Sequence, residues 1–480
     1  MVFSSIIFLF FFLPIALLLH LVAGRHLRNT ALLAVSLIFY AWGEELYVLL
    51  MLCSILVNYI FGILISRPKT KKRKKILLAI GVMLNLLPLF YFKYSGFVLE
   101  NFLNILAVVG IESTIEAKQL HLPIGISFFT FQALSYIVDV YRGMVQPQKN
   151  VLNIGLYISL FPQLIAGPIV RYHDVAKQLV KRTVTAEKFA YGVERFVFGL
   201  GKKVLLANPM GAMADQIFSL GIDQISTTTA WLGIICYTLQ IYFDFSGYSD
   251  MAIGLGRMFG FRFLENFNYP YIARSIREFW RRWHISLSNW FRDYLYIPLG
   301  GNRLGSTRTG VNLLIVFLLC GFWHGASWNF IIWGLCHGLF LVLERGRLGR
   351  MLQKTPSVMQ HLYVLLVVIN AWVFFRAETL GYALQYLGVM YGIGSAETMY
   401  PYIYIGLDYE FYTTLAVALL FSSPLYPAVV KFVEQSDIQS RPTLSGAILF
   451  AKCSILCFLL LSASLNLANG AYNPFIYFRF

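Results

Sequence analysis

The run from Thr309 to Leu343 contains 35 residues and no formal charge. A membrane-spanning helix needs about 20 apolar residues, so this run is too long for one span and too short for two full ones. A turn near Gly321 and Gly325 would make it a hairpin, whose first arm of about 15 residues reaches about 22 Å into hydrocarbon about 30 Å thick. The sequence therefore predicts a short membrane hairpin that holds His324, beside the turn, at membrane depth.

The composition is that of a membrane protein, with 58% hydrophobic residues, 13% charged residues and a mean hydropathy of +0.65. The net charge of +16 does not indicate nucleic-acid binding, because the cations cluster in loops between apolar runs. Such loops face the cytoplasm, and the clearest is Arg67–Lys75, where seven of nine residues are basic. We therefore predict an all-α polytopic membrane protein with one multi-pass domain over residues 1–480 and about nine to twelve transmembrane helices. The prolines at 162 and 168 predict that the apolar segment Val151–Val170 is broken or kinked.

His324 stands between Trp323 and Trp328 in the uncharged run. An ionisable side chain inside a membrane is costly and is by default a functional candidate; the alternative is a neutral histidine that only packs in a helix bundle. His337 follows in the same run, but no carboxylate or cysteine lies near the two histidines at the spacing of a metal site. The six cysteines all lie in apolar segments and are predicted to be small core residues. We expect no metal site.

A second histidine, His284, lies in the segment Arg274–Arg292, which is rich in arginine and tryptophan. On a continuous helix the apolar side chains of this segment share one arc and the arginines the next, with His284 at the boundary. This pattern predicts an interfacial helix whose basic face meets water or anionic groups, and the alternative is a headgroup anchor without chemistry. Two carboxylates in an apolar stretch, Asp244 and Asp250, are expected to pair with arginines and to be structural.

Several segments resemble the membrane-bound O-acyltransferase (MBOAT) family, most closely its bacterial branch containing the alginate O-acetyltransferase membrane subunit. The segments are Phe243–Gly256, Asn266–Tyr271, Phe279–Ser288, Gly321–Gly325, Pro123–Gln132, Phe161–Arg171 and the tail Asn473–Phe478. They occur in the family's order between residues 123 and 478, so the similarity runs over most of the chain. The resemblance implies the MBOAT fold, in which re-entrant and interfacial helices join the spans around a central tunnel, and a place in the bacterial inner membrane.

The resemblance also implies an activity: transfer of an acetyl group from cytoplasmic acetyl-CoA toward hydroxyls of an extracytoplasmic polysaccharide, as in alginate biosynthesis. His324 matches the family's essential histidine and is expected to be the general base or, less favoured, a transient acyl carrier. His284 matches the second functional position. Guanidinium groups pair well with phosphate, so Arg277, Arg281 and Arg282 are candidate contacts for coenzyme A. No permanently bound cofactor is expected.

The expected partners are the lipid bilayer, a periplasmic or extracellular SGNH-type acetyltransferase or esterase, and polysaccharide synthase machinery, with no nucleic acid. The nearest alternative enzyme is a D-alanyl transferase of teichoic acid synthesis, which would take a carrier-protein thioester. A transporter of lipid-linked glycans would also have interior polar groups and broken helices. A scaffold that only recruits glycan-modifying enzymes is the third alternative.

Overall fold

A computed structural model describes residues 1–111, 113–115, 120–165, 167–394, 396, 406–435, 442–470 and 472–474. These residues are mainly helical and include no β-strand, which confirms the predicted all-α class. Residues 475–478 of the tail motif and residue 166 of the motif at 161–171 lie outside the described residues.

The first half of the chain forms the α-helices α1 (Leu13–Val22), α2 (Gly24–Glu44), α3 (Val48–Ser66), α4 (Lys71–Leu89), α5 (Ser95–Val108), α6 (Ile126–Arg142), α7 (Val151–Ser159), α8 (Phe161–Leu164), α9 (Tyr172–Val180), α10 (Ala186–Gly201), α11 (Asn208–Phe218) and α12 (Thr227–Met258). The second half forms α13 (Ile276–Arg282), α14 (Ile285–Phe291), α15 (Ser306–His324), α16 (Trp328–Arg345), α17 (Arg347–Leu352), α18 (Ser357–Arg376), α19 (Leu380–Met390), α20 (Tyr409–Phe421), α21 (Leu425–Gln435) and α22 (Pro442–Ala468). Short π-helical turns lie at Phe8–Phe12, Phe90–Tyr94, Lys202–Ala207 and Arg292–Tyr296, and 3₁₀ turns at Glu45–Tyr47, Ile222–Gln224 and Pro270–Ile272.

Five helical stretches of the described residues are long and apolar enough to cross a membrane, or six if the bent pair Tyr409–Phe421 and Leu425–Val433 is one span. The prediction of nine to twelve spans is higher than this count. One of the five, His26–Ser66, contains both α2 and α3. The chain reverses direction between the two helices. Leu33 of α2 and Ile55 of α3 are far apart in sequence, yet both lie beside Gly155. Buried helices with polar side chains, such as α12, are not among the five.

The centre of the fold is α12, a helix of 32 residues whose side chains are mostly buried. Its two carboxylates are in ion pairs. Asp250 contacts Arg195 and Lys202, each at 2.7 Å. Asp244 lies 2.8 Å from Lys203, so among the described residues it pairs with a lysine, where an arginine was expected. Both acids connect α12 to the basic segment at the end of α10, which fits a structural role.

The predicted membrane hairpin is formed by α15 and α16, which turn at residues 325–327. The two helices touch backbone to backbone, because a Cβ on Gly321 or Gly334 would collide with a carbonyl oxygen of the facing helix. The first arm has 19 residues, not about 15, since α15 begins at Ser306, ahead of the uncharged run. At about 1.5 Å per residue it is about 28 Å long, so His324 lies near the far end of the span.

The predicted break in the segment 151–170 is also present. Helix α7 ends at Ser159, and Leu160 leaves the helical conformation before the single turn of α8, which has Pro162 near its start. The described residues after α8, up to Val170, are not helical. The chain thereby passes through the bundle as irregular backbone beside α6 and α12.

Candidate active site

His324 is the last residue of α15, and only 4% of its surface is exposed. Aromatic rings surround its imidazole: the ring centroids of Trp323, Trp333 and Phe375 lie 4.8, 5.0 and 5.1 Å away. The Nδ1 atom of His324 has no hydrogen-bond partner within the part of the chain that the structure describes. The Nδ1 side of the imidazole is thus held among aromatic rings and makes no hydrogen bond to the described residues.

A lysine from a distant helical segment fixes the backbone at this point. Lys93 donates from Nζ to the carbonyl oxygens of Trp323 (2.7 Å) and His324 (3.2 Å), and the Tyr94 hydroxyl donates to the Phe322 carbonyl (3.1 Å). The last carbonyl groups of a helix lack intrahelical partners, and a cation there also complements the helix dipole. The residue that carries the candidate imidazole is therefore tied to the segment 90–94.

His324 and Lys93 line a cavity of about 260 Å³, here called the histidine cavity. Its other walls come from residues 121–128. A wider cavity of about 670 Å³, the outer cavity, shares Lys93 and Leu122 with it and extends over the hairpin turn. His121 lies 3.3 Å from Glu44 at the end of α2, a helix that starts beside the basic residue Arg28. The positive-inside rule predicts that both cavities are on the extracytoplasmic side.

A separate cavity of about 450 Å³, the arginine cavity, lies along α15 between Leu313 and Cys320. Four guanidinium-bearing residues line it: Arg277, Arg281, Arg292 and Arg345. At its inner end it reaches Cys320, one helical turn before His324. Arginines at the start of α15 and the end of α16 predict, by the positive-inside rule, that this cavity faces the cytoplasm.

An aromatic stack links α14, which lines the arginine cavity, to Trp323, which lines the histidine cavity. Trp290 stacks on Phe131 with a centroid separation of 3.8 Å, and Phe131 lies 5.2 Å from Trp323. The Trp290 indole donates to the Phe131 carbonyl oxygen (3.0 Å), which fixes the ring. The stack ends at Trp323, which lines the histidine cavity together with His324, whereas the arginine cavity ends at Cys320, one helical turn before His324.

The single interfacial helix predicted for the segment 274–292 is wrong. The structure has two short helices, α13 and α14, and His284 between them has the left-handed backbone conformation with φ of 43°. Backbone hydrogen bonds to a neighbouring loop replace those of a continuous helix: Ile285 donates to Asn266, and Asn268 donates to Arg282, both at 2.9 Å. This bend turns His284 inward, so its side chain is fully buried and does not lie at an arginine-lined surface.

Asn266 determines which nitrogen of His284 is available. The Oδ1 atom of Asn266 accepts from the backbone and hydroxyl of Ser286, and its Nδ2 donates to Ser249. His284 Nδ1 lies 3.2 Å from the same Oδ1, so Nδ1 carries the proton. The Nε2 atom has no hydrogen-bond partner among the described residues and is the free lone pair. Burial lowers the pKa of His284 to about 3, so the ring is neutral at physiological pH.

The two candidate histidines flank one tryptophan. The indole of Trp323 lies 6.3 Å from the ring of His284 and 4.8 Å from that of His324, measured between centroids. Sequence reasoning singled out both residues but placed only one of them in the interior. The two buried imidazoles belong to a single site.

The three arginines predicted to contact phosphate have different surroundings. Arg277 and Arg281 line the arginine cavity. Arg282 does not; it contacts Glu278 at 2.8 Å and donates to the Asn268 carbonyl at 3.1 Å, which holds the loop that carries Asn266.

Sequence reasoning missed four residues of the site, namely Lys93, Asn266, Arg292 and Arg345. Lys93 could have been identified as a lysine close to the end of an apolar run. Asn266 could have been identified because it begins a segment that resembles the family. Within the described part of the chain, no group of three or more His, Cys, Asp or Glu residues is arranged to hold a metal ion.

Comparison with known proteins gives consistent matches. A family model described as MBOAT, membrane-bound O-acyltransferase family, matches residues 148–380. The chain is 41% identical to a probable alginate O-acetylase of Azotobacter vinelandii over the whole of both proteins. It is 46% identical to a probable alginate O-acetylase of Pseudomonas aeruginosa, over 82% of this chain and 76% of the relative. A peptidoglycan O-acetyltransferase of Helicobacter pylori is 37% identical over 83% of this chain and 81% of the relative.

Proposed function

The chain belongs to the membrane-bound O-acyltransferase family and is an O-acyltransferase, and from this premise we propose its donor, its route and its acceptor. The donor is cytoplasmic acetyl-CoA. The acetyl group passes through the bundle to His324 and is delivered to hydroxyls of an extracytoplasmic polysaccharide with the help of a periplasmic or extracellular partner of the SGNH type. The protein lies in the bacterial inner membrane.

The arginine cavity supports acetyl-CoA as the donor. Coenzyme A carries several phosphate groups, and guanidinium groups bind phosphate through paired, charge-assisted hydrogen bonds. Arg277 and Arg281 provide such groups near the cytoplasmic end, and the apolar wall toward Cys320 suits the uncharged arm that carries the thioester. The donor thus enters with its charged end in the arginine cavity and its acetyl group toward His324.

The surroundings of His324 support its role as general base. The attacking hydroxyl must lose its proton as its oxygen bonds to the thioester carbonyl carbon, and imidazole is suited to accept that proton. The carbon–sulfur bond then breaks, and the proton passes from His324 to the departing thiolate, which gives the acetyl ester and free coenzyme A. His284 is assigned to positioning the acyl group, with Nε2 directed away from Asn266.

The choice of acceptor is supported by the relatives, two of which are named for alginate and one for peptidoglycan acetylation. The histidine cavity, with its wider outer neighbour, is where a hydroxyl from that side of the membrane would reach the imidazole.

The position of His324 carries this proposal. Its buried imidazole lines the histidine cavity, and it lies one helical turn from Cys320, at the end of the arginine cavity. The test is release of free coenzyme A, and transfer of radiolabelled acetyl groups, by purified wild-type protein and His324→Ala. The matched control is His337→Phe. His337 is a buried histidine of the same hairpin, ringed by Phe279, Trp280 and Trp333, so phenylalanine fills its place.

We expect His324→Ala to lose thioester turnover while its thermal unfolding stays close to that of wild type, and His337→Phe to keep the activity. A His324→Ala protein that retains wild-type turnover would contradict the proposal. A transporter would release no free coenzyme A in the wild-type protein either, and a scaffold would support acetylation in cells even with both His284 and His324 replaced.

A further inference from the structure

A further cavity lies at the N-terminal end of α2. It shares no lining residue with the histidine cavity, the outer cavity or the arginine cavity. Its volume is about 350 Å³, at the small end of the roughly 300–1,000 Å³ typical of ligand pockets. The first turns of α2, the start of α7 and the residues that end α9 form its walls. We call it the α2 cavity. It faces the cytoplasm, since α2 begins in a basic segment.

The α2 cavity has an excess of positive charge. Arg28, Lys181 and Arg182 line it, and no carboxylate is found among the described residues that do so. None of these three cations is in a salt bridge within the described ranges. Arg28 Nε and Arg182 Nη2 are buried and lack a hydrogen-bond partner among the described residues. A buried donor without a partner is costly, so the cavity lacks an acceptor, and an anion would supply it.

The remaining contacts hold these groups in place. Arg182 donates from Nε to the Phe259 carbonyl (3.0 Å) and from Nη1 to Asn29 Oδ1 (2.6 Å), and its guanidinium lies 4.3 Å from the ring of Phe261. Asn29 in turn donates to Asn153 on α7 (2.8 Å). Burial and the neighbouring Arg28 lower the pKa of Arg182 to about 10, which still leaves it protonated at neutral pH. The Arg182 side of the cavity is therefore preorganised rather than free to turn away.

The cavity also has an apolar edge at the surface. Leu152 and Val180 line it and are 40% and 75% exposed, and Leu27 beside it on α2 is 62% exposed. The N-terminus of α7, capped by Asn150, adds the positive end of a nine-residue helix dipole. A soluble anion would use only the cations and the helix end. A ligand that carries both a phosphate and hydrocarbon would use the exposed apolar side chains as well.

We propose that the α2 cavity binds the phosphate group of an anionic phospholipid from the cytoplasmic leaflet. The acyl chains of the lipid would lie along the exposed apolar side chains, and the phosphate oxygens would contact the guanidinium groups of Arg28 and Arg182 and the ammonium group of Lys181. The inference stands on the charge, burial and contacts of these residues, and it does not depend on the identity of the donor or of the acceptor.

The test is thermal unfolding of the full-length protein in detergent, with added phosphatidylglycerol, phosphatidylcholine or inorganic phosphate. The variants are Arg28→Gln and Lys181→Gln, and the matched control is Arg73→Gln, an exposed cation of the basic segment 67–75. Removal of one cation near the membrane surface weakens attraction to anionic lipid by about fivefold. We expect the half-saturating phosphatidylglycerol concentration to rise about fivefold in Lys181→Gln and about tenfold or more in Arg28→Gln, where a buried charged hydrogen bond is lost.

Phosphatidylcholine should stabilise the wild-type protein much less than phosphatidylglycerol does, and Arg73→Gln should respond as wild type. Lys181 is on the surface, so its variant keeps the test decisive if Arg28→Gln does not fold. An Arg73→Gln protein that loses as much affinity as Lys181→Gln would overturn the proposal, because attraction would then be spread over the surface. Equal protection by inorganic phosphate and phosphatidylglycerol would also overturn it, in favour of a soluble anion.

Discussion

Replacement of Lys93 by methionine tests how the reacting imidazole is held. Methionine keeps most of the apolar stem but removes the ammonium group that donates to the carbonyl oxygens of Trp323 and His324. A hydrogen bond from a charged group contributes about 1.5–3 kcal/mol, and one of the two bonds here is long, so the expected loss of folding free energy is about 2–5 kcal/mol. The end of α15 should then loosen around His324.

The effect on activity should exceed the effect on substrate binding. A misplacement of about 1 Å of a catalytic group can lower the rate about 100-fold. Lys93 lines the histidine cavity but not the arginine cavity, so the KM for acetyl-CoA should stay near the wild-type value while kcat falls about 100-fold. The assay is coenzyme A release at several acetyl-CoA concentrations, with thermal unfolding measured in parallel. Lys452→Met, which removes a half-exposed lysine paired with Glu194, is the matched control.

Two results would refute this reasoning. A Lys93→Met protein with wild-type kcat would show that the helix end does not need the lysine to position His324. A protein with unchanged kcat and a raised KM for acetyl-CoA would place Lys93 in the donor site instead.

Three further predictions follow from single contacts. Arg277→Gln should raise the KM for acetyl-CoA about tenfold, because a charged hydrogen bond contributes about 1.5–3 kcal/mol. Arg282 does not line the arginine cavity, so Arg282→Gln should lower thermal stability and leave the KM unchanged. Equal effects of the two substitutions on the KM would argue against the arginine cavity as the donor site. Asn266→Ala removes the oxygen that accepts from His284 Nδ1 and fixes its ring. In the assay of coenzyme A release, kcat should therefore fall at least about tenfold with little change in KM. An unchanged kcat would show that the position of His284 does not matter for the reaction. The hydrogen bond from His173 to Asp139 raises the pKa of His173 in the folded protein above the value of about 6.5 in the unfolded chain. Protonated His173 therefore stabilises the folded state fully below about pH 6.5, and this stabilisation is lost as the pH rises through the raised pKa. The difference in unfolding temperature between wild type and His173→Gln should therefore be larger at about pH 6 than at about pH 9, and a difference independent of pH would contradict this.

The sequence predicted the hairpin and its histidine because both depend on local features. An uncharged run of known length with glycines near its centre has few ways to fold in a membrane, and His324 is its ionisable residue next to the turn. The length of the first arm was underestimated because α15 begins within the charged loop, at Ser306. The pairing of Asp244 and Asp250 was predicted from their apolar surroundings, but which cation pairs with Asp244 depends on the packing of α10 and the basic segment after it against α12.

The surroundings of His284 could not be predicted from periodicity. The prediction that the apolar side chains of the segment 274–292 share one face assumes a continuous helix. The left-handed backbone conformation of His284 ends one helix and starts another, so the side chains after it no longer follow that face. That conformation is stabilised by backbone hydrogen bonds to Asn266 and Asn268, residues of a separate loop. Likewise Lys93 meets α15 across 230 residues of sequence, which no local pattern reports.

The most direct test of the account is the position of the donor. Cryo-electron microscopy of the purified protein with a non-hydrolysable thioether analogue of acetyl-CoA would locate it. The account predicts the phosphate groups beside Arg277 and Arg281 and the acetyl carbonyl carbon next to the imidazole of His324, with the aromatic stack of Trp290 and Phe131 displaced or skirted. An analogue bound in the outer cavity, or separated from His324 by an intact stack, would contradict it.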